Sequence, residues 1–329
     1  MANHFKSKKL LLLTSGGDAP GMNAVTRAVV RSGHYHNFKT FACHGGFQGL
    51  VEQKIFPLNP GDVTNCIQRG GTIIRSERSA AFLDKKVRAS CREFLKEHGI
   101  KYLVAIGGDG TFRGATLFED EGGPKCIGIP GTIDNDVAGT DYTIGYDTAR
   151  NTALEAIDKI RDTAASNNMY FLVETMGRNA GFLAADVGIA GGADFILTPE
   201  FPIATEDLAA LINAPKRKKQ SLIIVVAEAD RPGRSFAIVE KLKKLTPDFK
   251  YRVCVLGHTQ RGGSPTVLDR ITASHMGNLA IEALLAGKSK CMVGTQKGQY
   301  ILAPFPDPQQ PPRRLISDEL IKLSLLLAT

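Results

Sequence analysis

Two carboxylates standing two residues apart are the most suggestive chemistry in this chain: Asp134 and Asp136, within Pro130-Gly131-Thr132-Ile133-Asp134-Asn135-Asp136. One such group can take a proton from an attacking hydroxyl while the other holds a metal ion or an orienting residue. A polar turn is the plainer account, because Asn and Asp are common turn residues. What precedes the run matters here. Cys126-Ile127-Gly128-Ile129 reads as a short buried strand that ends at Pro130. Open α/β sheets bind their ligands at the carboxyl ends of such strands.

Other strand ends carry polar, glycine-rich loops. The run 102–106 is a clear strand, followed by Gly107-Gly108-Asp109-Gly110-Thr111 and a helix over 112–118. Glycines there let a polyphosphate lie against the backbone, and Asp109 can hold a Mg²⁺ that bridges its oxygens. Thr14-Ser15-Gly16-Gly17-Asp18 lies between a strand at 10–13 and a helix with Val25, Ala28 and Val29 on one face. Strand, tight turn and helix can present backbone N–H groups to a phosphate. The run is neither a Walker A loop nor GxGxxG. A strand over 38–43 ends in His44-Gly45-Gly46-Phe47-Gln48-Gly49, where Phe47 could flank a flat ring. Arg69-Gly70-Gly71-Thr72 and Arg75-Ser76-Glu77-Arg78 form a basic loop of the kind that clamps phosphates bidentately. A strand over 170–173 leads to Met176-Gly177-Arg178, and one over 222–226 leads to Glu228. The strand 253–256 leads to Gly257-His258-Thr259-Gln260-Arg261-Gly262-Gly263-Ser264-Pro265, a grouping suited to phosphate recognition. Arg27 and Arg31 share a helix face, and the basic run 216–219 sits near a strand start; a solvated face is the ordinary reading of both.

The elements that position these loops alternate. Helices are expected over 84–98 (Val87, Cys91, Phe94 and Leu95 inward), from Asp147 or Thr148 to 165, over 181–192, over 269–286 (Ile271, Met276 and Leu279 inward) and over 317–327. Short strands are expected at 195–197 and 299–302. Strands alternating with helices argue for doubly wound α/β domains. At 329 residues and 43% hydrophobic, the chain is long enough for two of them. A net charge of +8 suits anionic small molecules. Scattered basic residues and the lack of Trp speak against nucleic acid. Six Cys without a CxxC pair argue against zinc and redox motifs and for reduced thiols in a cytoplasmic setting. No apolar run reaches about 20 residues and no signal-peptide core is present, so no membrane association is expected.

Ser15-Gly16-Gly17-Asp18-Ala19-Pro20-Gly21-Met22-Asn23, Gly107 to Thr111, Pro130 to Asp136, Met176-Gly177-Arg178 and Gly257 to Pro265 together resemble the motif set of the 6-phosphofructokinase family, in family order over nearly the whole chain. The loop at 107–111 alone also occurs in lipid and NAD kinases; the later motifs argue against those. The resemblance implies two Rossmann-like domains with the active site in the cleft between them. It implies an ATP domain over 1–145 plus 258–308 and a fructose 6-phosphate domain over 146–257 plus 309–329. The reaction implied is transfer of the γ-phosphoryl group of ATP to the 1-hydroxyl of fructose 6-phosphate, with Mg²⁺.

By the same resemblance Asp134 is the general base, with Arg178 and Thr132 beside it in catalysis. Asp109 holds Mg²⁺, with Asp136 assisting through water. Gly17, Arg78, Ser79, Gly108, Asp109, Gly110 and Thr111 line the ATP site. Thr132, Ile133, Asp134, Met176, Gly177, Arg178, Glu228, His258, Thr259, Gln260 and Arg261 bind the sugar phosphate, and Arg252 reaches a neighbouring subunit's sugar in a homotetramer. Arg27, Arg31, Arg161, Gly192, Asp194, Lys216 and Lys218 match a site for ADP or phosphoenolpyruvate as effector, although Pro60 and Asn65 stand where that pattern has Arg and Asp. Gly110 and Gly131 favour ATP over pyrophosphate, whose users tend to carry Asp and Lys there. Met169 replaces an Arg that reaches a neighbour's sugar 6-phosphate, which implies weakened sugar binding. A regulatory homologue without catalysis is the second reading, carried by Met169 alone.

Overall fold

The computed structural model describes residues 7–214, 220–229, 232–306 and 316–327. In chain order the first elements are β1 (Lys8–Ser15), α1 (Met22–Tyr35), β2 (Phe38–Cys43), α2 (Gly46–Val51), β3 (Ile55–Pro57) and β4 (Ser76–Glu77). A 3-10 turn at Ala81–Leu83 leads to α3 (Lys85–Glu97), β5 (Ile100–Gly107), α4 (Asp109–Asp120), β6 (Lys125–Pro130) and α5 (Tyr146–Asn167). Next come β7 (Tyr170–Thr175), α6 (Phe182–Ala190), β8 (Phe195–Leu197), α7 (Thr205–Asn213), β9 (Leu222–Ala227), α8 (Arg234–Leu245) and β10 (Tyr251–Val255). A 3-10 turn at Gly257–Arg261 precedes α9 (Val267–Leu285), β11 (Cys291–Gln296), β12 (Gln299–Pro304) and α10 (Asp318–Leu327).

The chain divides into two compact units. The first comprises Met1–Thr132, Val137–Asp147 and Arg261–Arg313; the second comprises Ile133–Asp136, Thr148–Gln260 and Arg314–Thr329. The division therefore falls inside the Asp134 loop, between Thr132 and Ile133 and again between Asp136 and Val137.

The first unit is built on an eight-stranded sheet in the order β12-β11-β6-β5-β1-β2-β3, with β4 also pairing to β1. Its centre is parallel, and β3 and β12 join antiparallel at the two margins. Leu10, Leu11, Leu12 and Leu13 are all fully buried, as expected for a parallel strand covered on both faces. Helix α1 packs closely on α9 at Gly277, where a Cβ would lie 3.2 Å from the Val25 carbonyl. The second unit has four parallel strands in the order β10-β7-β9-β8. Tyr170 stacks on Phe249 at 4.5 Å between ring centres, and the Tyr251 and Thr246 hydroxyls share a hydrogen bond of 2.6 Å.

Several local expectations change. The loop at His44–Gly49 turns helical from Gly46, and Phe47 is buried against Phe82 at 4.2 Å rather than flanking a ligand ring. Ile271 is 50% exposed, so the inward face of α9 is Ala273, Met276, Ala280 and Ile281 instead. Helix α4 begins at Asp109, not Phe112, because the backbone turns helical as soon as it leaves Gly108. Helices α7 and α8 and strand β11 are absent from the expected elements, although Leu208 and Ile212 in α7 and Val239 and Leu242 in α8 are buried at helical spacing. All six cysteines are free thiols. Burial pushes the Cys43 thiol up to about 12 and that of Cys91 to about 11, so both are inert core groups.

Candidate active site

In the first unit the ends of β1, β5 and β6 converge through glycine. Gly131 N–H donates to the Gly107 carbonyl at 3.0 Å, and Thr111 Oγ1 donates to the Ser15 carbonyl at 3.2 Å. A Cβ on Gly107 would meet Ser15 and Thr111, so that glycine exists for close packing. Gly131 is also a packing glycine, with a Cβ there 2.9 Å from Ile106 and 3.3 Å from Met22. Gly110 differs: nothing lies within 4 Å of its Cβ position. Asp109 stands in the first turn of α4 beside it. Thr132 is buried, a Cβ on Gly108 would lie 3.9 Å from its side chain, and its carbonyl accepts from Thr143 Oγ1 at 2.7 Å. Arg261 is buried over Gly17 and donates from Nη1 to the Asp18 carbonyl at 2.9 Å. Arg78 is exposed on the loop after β4, and Ser79 is half-buried. The first unit thus holds Gly17, Arg78, Ser79, Gly108 to Thr111, Thr132 and Arg261.

The second unit holds the other named residues. Asp134 is buried, and its Oδ2 lies 3.5 Å from Arg178 Nε in a salt bridge. Arg178 N–H donates to Glu228 Oε1 at 3.3 Å. Burial pushes the Glu228 carboxyl up; the backbone N–H of Arg178 opposes this, and the charges of Asp134 and Glu174 add to it. Asn135 and Arg178 both adopt φ of 52°, and Ala229, next to Glu228, adopts 54°. Non-glycine residues held in that region store strain, a hallmark of functional loops. Met176 and Gly177 are buried beside Arg178, and Ile133 is fully buried. Arg252 is exposed on β10, with Nη1 donating to the Tyr251 carbonyl at 3.1 Å. His258 is exposed; Thr259 Oγ1 donates to the Leu256 carbonyl at 2.7 Å, and the buried Gln260 donates to the Gly257 carbonyl at 3.1 Å.

Sequence reading passed over Glu174. It is fully buried at the end of β7 and accepts from Gly233 N–H at 2.5 Å and Ser235 N–H at 2.8 Å, so it caps α8. Its signal, a lone Glu at a strand end, was indistinguishable from a surface residue.

Of the effector residues, Arg27 and Arg31 lie on α1 close enough to Cys66 to act on its thiol, whose pKa burial raises. In the second unit Arg161 donates to the carbonyls of Gly191 and Gly192, the latter at 2.8 Å. The buried Asp194 accepts from Ile223 N–H at 2.9 Å, tying β8 to β9. Lys216 and Lys218 lie outside the described residues.

Open space at Gly110, a helix N-terminus and one carboxylate suit a triphosphate whose metal draws most ligands from phosphate and water. Among the described residues no cluster of three or more His, Cys, Asp or Glu could hold a metal by protein ligands alone. Among them, too, no helix is long and apolar enough to cross a membrane.

Comparison with known proteins gives a consistent result. Residues 9–284 match the phosphofructokinase family. The chain is 52% identical over 320 residues to ATP-dependent 6-phosphofructokinase of Coxiella burnetii, covering 97% of this chain and 98% of that one. It is 49% identical over 322 residues to ATP-dependent 6-phosphofructokinase 1 of Thermus thermophilus, covering 98% and 99%. Among solved structures, Pichia pastoris phosphofructokinase in the T-state superposes with a TM-score of 0.84 at 34% identity over 91% of this chain and 35% of that longer one. A pyrophosphate-dependent phosphofructokinase from Marinobacter aquaeolei shares the fold, with a TM-score of 0.82 at 24% identity over 98% and 91% of the two chains.

Proposed function

This chain belongs to the phosphofructokinase family, and on that premise we infer that it phosphorylates fructose 6-phosphate with ATP to give fructose 1,6-bisphosphate. Near full-length relatives named for this activity support the reading. The observation in this molecule that carries it is the buried Asp134 carboxylate held against the Arg178 guanidinium at 3.5 Å. A carboxylate oxygen can accept a proton, and the guanidinium contact fixes where that oxygen stands.

In this reading the first unit binds nucleotide and the second binds sugar phosphate. Asp109 would hold the metal, and Gly108, Gly110 and Thr111 would line the phosphates. Bound MgATP supplies the transferable phosphoryl group and neutralises part of its charge. Asp134 accepts the proton of the sugar 1-hydroxyl at a carboxylate oxygen. Arg178 offers positive charge toward the equatorial oxygens, while Thr132 positions the loop through its carbonyl contact with Thr143. Glu228 orients Arg178 through the backbone N–H bond. His258, Thr259, Gln260, Arg261, Met176 and Gly177 surround the sugar phosphate in the same scheme, and Arg252 serves a neighbouring subunit of a homotetramer in the cytoplasm. An effector role for Arg27, Arg31, Arg161, Gly192 and Asp194 belongs to the same proposal.

Pyrophosphate is the weaker donor in this reading, because Gly110 leaves the space that an α-phosphate needs and Gly131 offers no cation to grip pyrophosphate. A Lys at position 131 would have to displace Ile106 and Met22. The decisive experiment is a coupled assay with purified protein, fructose 6-phosphate and MgATP. Product formation with ATP and not with pyrophosphate is expected. No product at saturating sugar would transfer support to the regulatory reading, and equal turnover with pyrophosphate would overturn the donor.

A further inference from the structure

The loop between β4 and α3, which holds Ser79, carries a chain of polar contacts to which the transfer step itself assigns no role. Ser79 Oγ donates to Gln48 Oε1 at 2.8 Å and accepts from Phe82 N–H at 3.1 Å. Gln48 Nε2 donates to Glu52 Oε1 at 2.8 Å, and Glu52 pairs with Lys54 at 2.5 Å. The orientation of the amide is forced. A carboxylate only accepts, so the amide nitrogen must face Glu52 and the amide oxygen must face Ser79. Hydrogen bonds from Lys54 and then Gln48 hold the Glu52 carboxyl below its ordinary range, which keeps it an acceptor at neutral pH. A half-buried glutamine is normally free to rotate; this one is pinned at both ends. One N–H and one lone pair of the amide remain for something else.

The segment that carries Gln48 packs on the helix that opens the cradle. Phe47, its neighbour in sequence, packs on α4 at Gly114, where a Cβ would lie 3.1 Å from the ring. Gly114 lies one helical turn beyond Gly110 on the same face of α4. Strand β4, just before Ser79, pairs with the end of β1 at Ser15 and Glu77. A nucleotide with its phosphates at the open Gly110 would therefore meet, one turn on, the segment that holds Phe47 and Gln48.

We propose that Gln48, held by Ser79 and Glu52, selects the base of the nucleoside triphosphate and favours adenine. A side-chain amide offers a donor and an acceptor side by side. Adenine presents the matching pair, its amino group and N7, whereas guanine presents two acceptors on that edge. Against guanine the amide oxygen would face another oxygen or nitrogen lone pair. The proposal rests on reading the first unit as the nucleotide unit.

The test compares wild type, Gln48→Leu and Ser79→Ala. The kcat/KM for ATP and GTP is measured alongside calorimetric affinities for MgADP and MgGDP. Wild type is expected to prefer adenine by about tenfold to a hundredfold, the range for one good bidentate pair. Gln48→Leu should bring both ratios within about threefold of unity through loss on the adenine side, and Ser79→Ala should lower them part of the way. A wild-type-like ratio in Gln48→Leu overturns the proposal. So does an equal loss for both nucleotides, which would make Gln48 a packing residue. Absence of turnover with every nucleotide would sink the kinase reading alone, because the ADP-to-GDP affinity ratio still decides Gln48. Should Gln48→Leu fail to fold, the near-isosteric Gln48→Met provides the same comparison.

Discussion

The phosphate cradle of the first unit and the acidic cluster of the second are built on opposite principles. The cradle is made of backbone. Gly107 and Gly131 leave no room for a side chain, and Gly110 leaves room that nothing fills. The cluster is made of side chains. Asp134 pairs with the Arg178 guanidinium, Glu228 accepts from Arg178 N–H, and the charges of Asp134 and Glu174 reach Glu228, on a backbone with left-handed φ at Asn135, Arg178 and Ala229. Each such residue costs on the order of 1–3 kcal/mol and persists only because its surroundings over-determine it. The contrast teaches where each half is vulnerable. A backbone cradle fails when something bulky is added, while a charge cluster fails when its charge is changed at constant shape.

The sharpest test of that contrast is Asp134→Asn, which keeps shape and removes charge. Turnover should fall by about 10²- to 10⁴-fold, the usual contribution of a positioned base. The thermal midpoint and the affinity for MgADP should stay near wild type. Turnover within threefold of wild type would erase the distinction between the halves, since the cluster would then be a scaffold.

Met169→Arg adds a charge to the second unit. Met169 is half-buried at the entry to β7, where its N–H donates to the Ala164 carbonyl at 3.1 Å. If family resemblance places a phosphate-binding Arg here, restoring it should recover about 1.5–3 kcal/mol. That corresponds to fructose 6-phosphate bound roughly ten to a hundred times more tightly. Saturation curves for the sugar check it, and an unchanged half-saturation point would mean another cation already fills the role.

In the cradle, paired alanine substitutions should separate two kinds of glycine. Gly107→Ala overpacks Ser15 and Thr111 and should lower stability by about 1–3 kcal/mol in urea titrations. Gly110→Ala meets open space, so stability should hold or improve by a few tenths of a kcal/mol, helix interiors preferring Ala to Gly. Its KM for ATP should nevertheless rise, because the added methyl enters the space assigned to a phosphate. Equal stability losses in the two variants would show that the open space at Gly110 is not functional.

The same contrast explains what could be read from sequence. The cradle was legible, since glycines at strand ends are local signals and β5, β6 and α4 follow directly in the chain. Asp134 and Arg178 were named separately, but their salt bridge joins residues 44 positions apart, and no periodicity announces such a pairing. Phe47 was misread because an aromatic residue in a glycine-rich loop looks the same whether it faces a ligand or Phe82. Glu174 was passed over because its partners, the N–H groups of Gly233 and Ser235, lie about 60 residues away.

The smallest expected effect is also the one that sharpens the contrast most finely. Burial first, and the neighbouring Asp134 and Glu174 charges after it, raise the Glu228 carboxyl above its ordinary range, against the pull of the Arg178 and Gly177 N–H groups. The folded chain therefore holds that proton to higher pH than the unfolded chain does. Between the two pKa values the native state binds more protons, so this group's contribution to stability falls as pH rises. Glu228→Gln removes the titration while keeping an oxygen for Arg178 N–H. Its urea midpoint minus that of wild type should therefore grow from pH 4 toward pH 7, starting near the ordinary glutamate value of about 4.3. Most other carboxylates cancel in the difference; Asp134 does not, because its charge acts on Glu228, and Asp134→Asn as background should shrink the slope. A difference that stays flat or declines with pH would mean that Glu228 is not held proton-rich by its surroundings. The second unit's cluster would then be set by contact geometry, as the cradle is, rather than by charge.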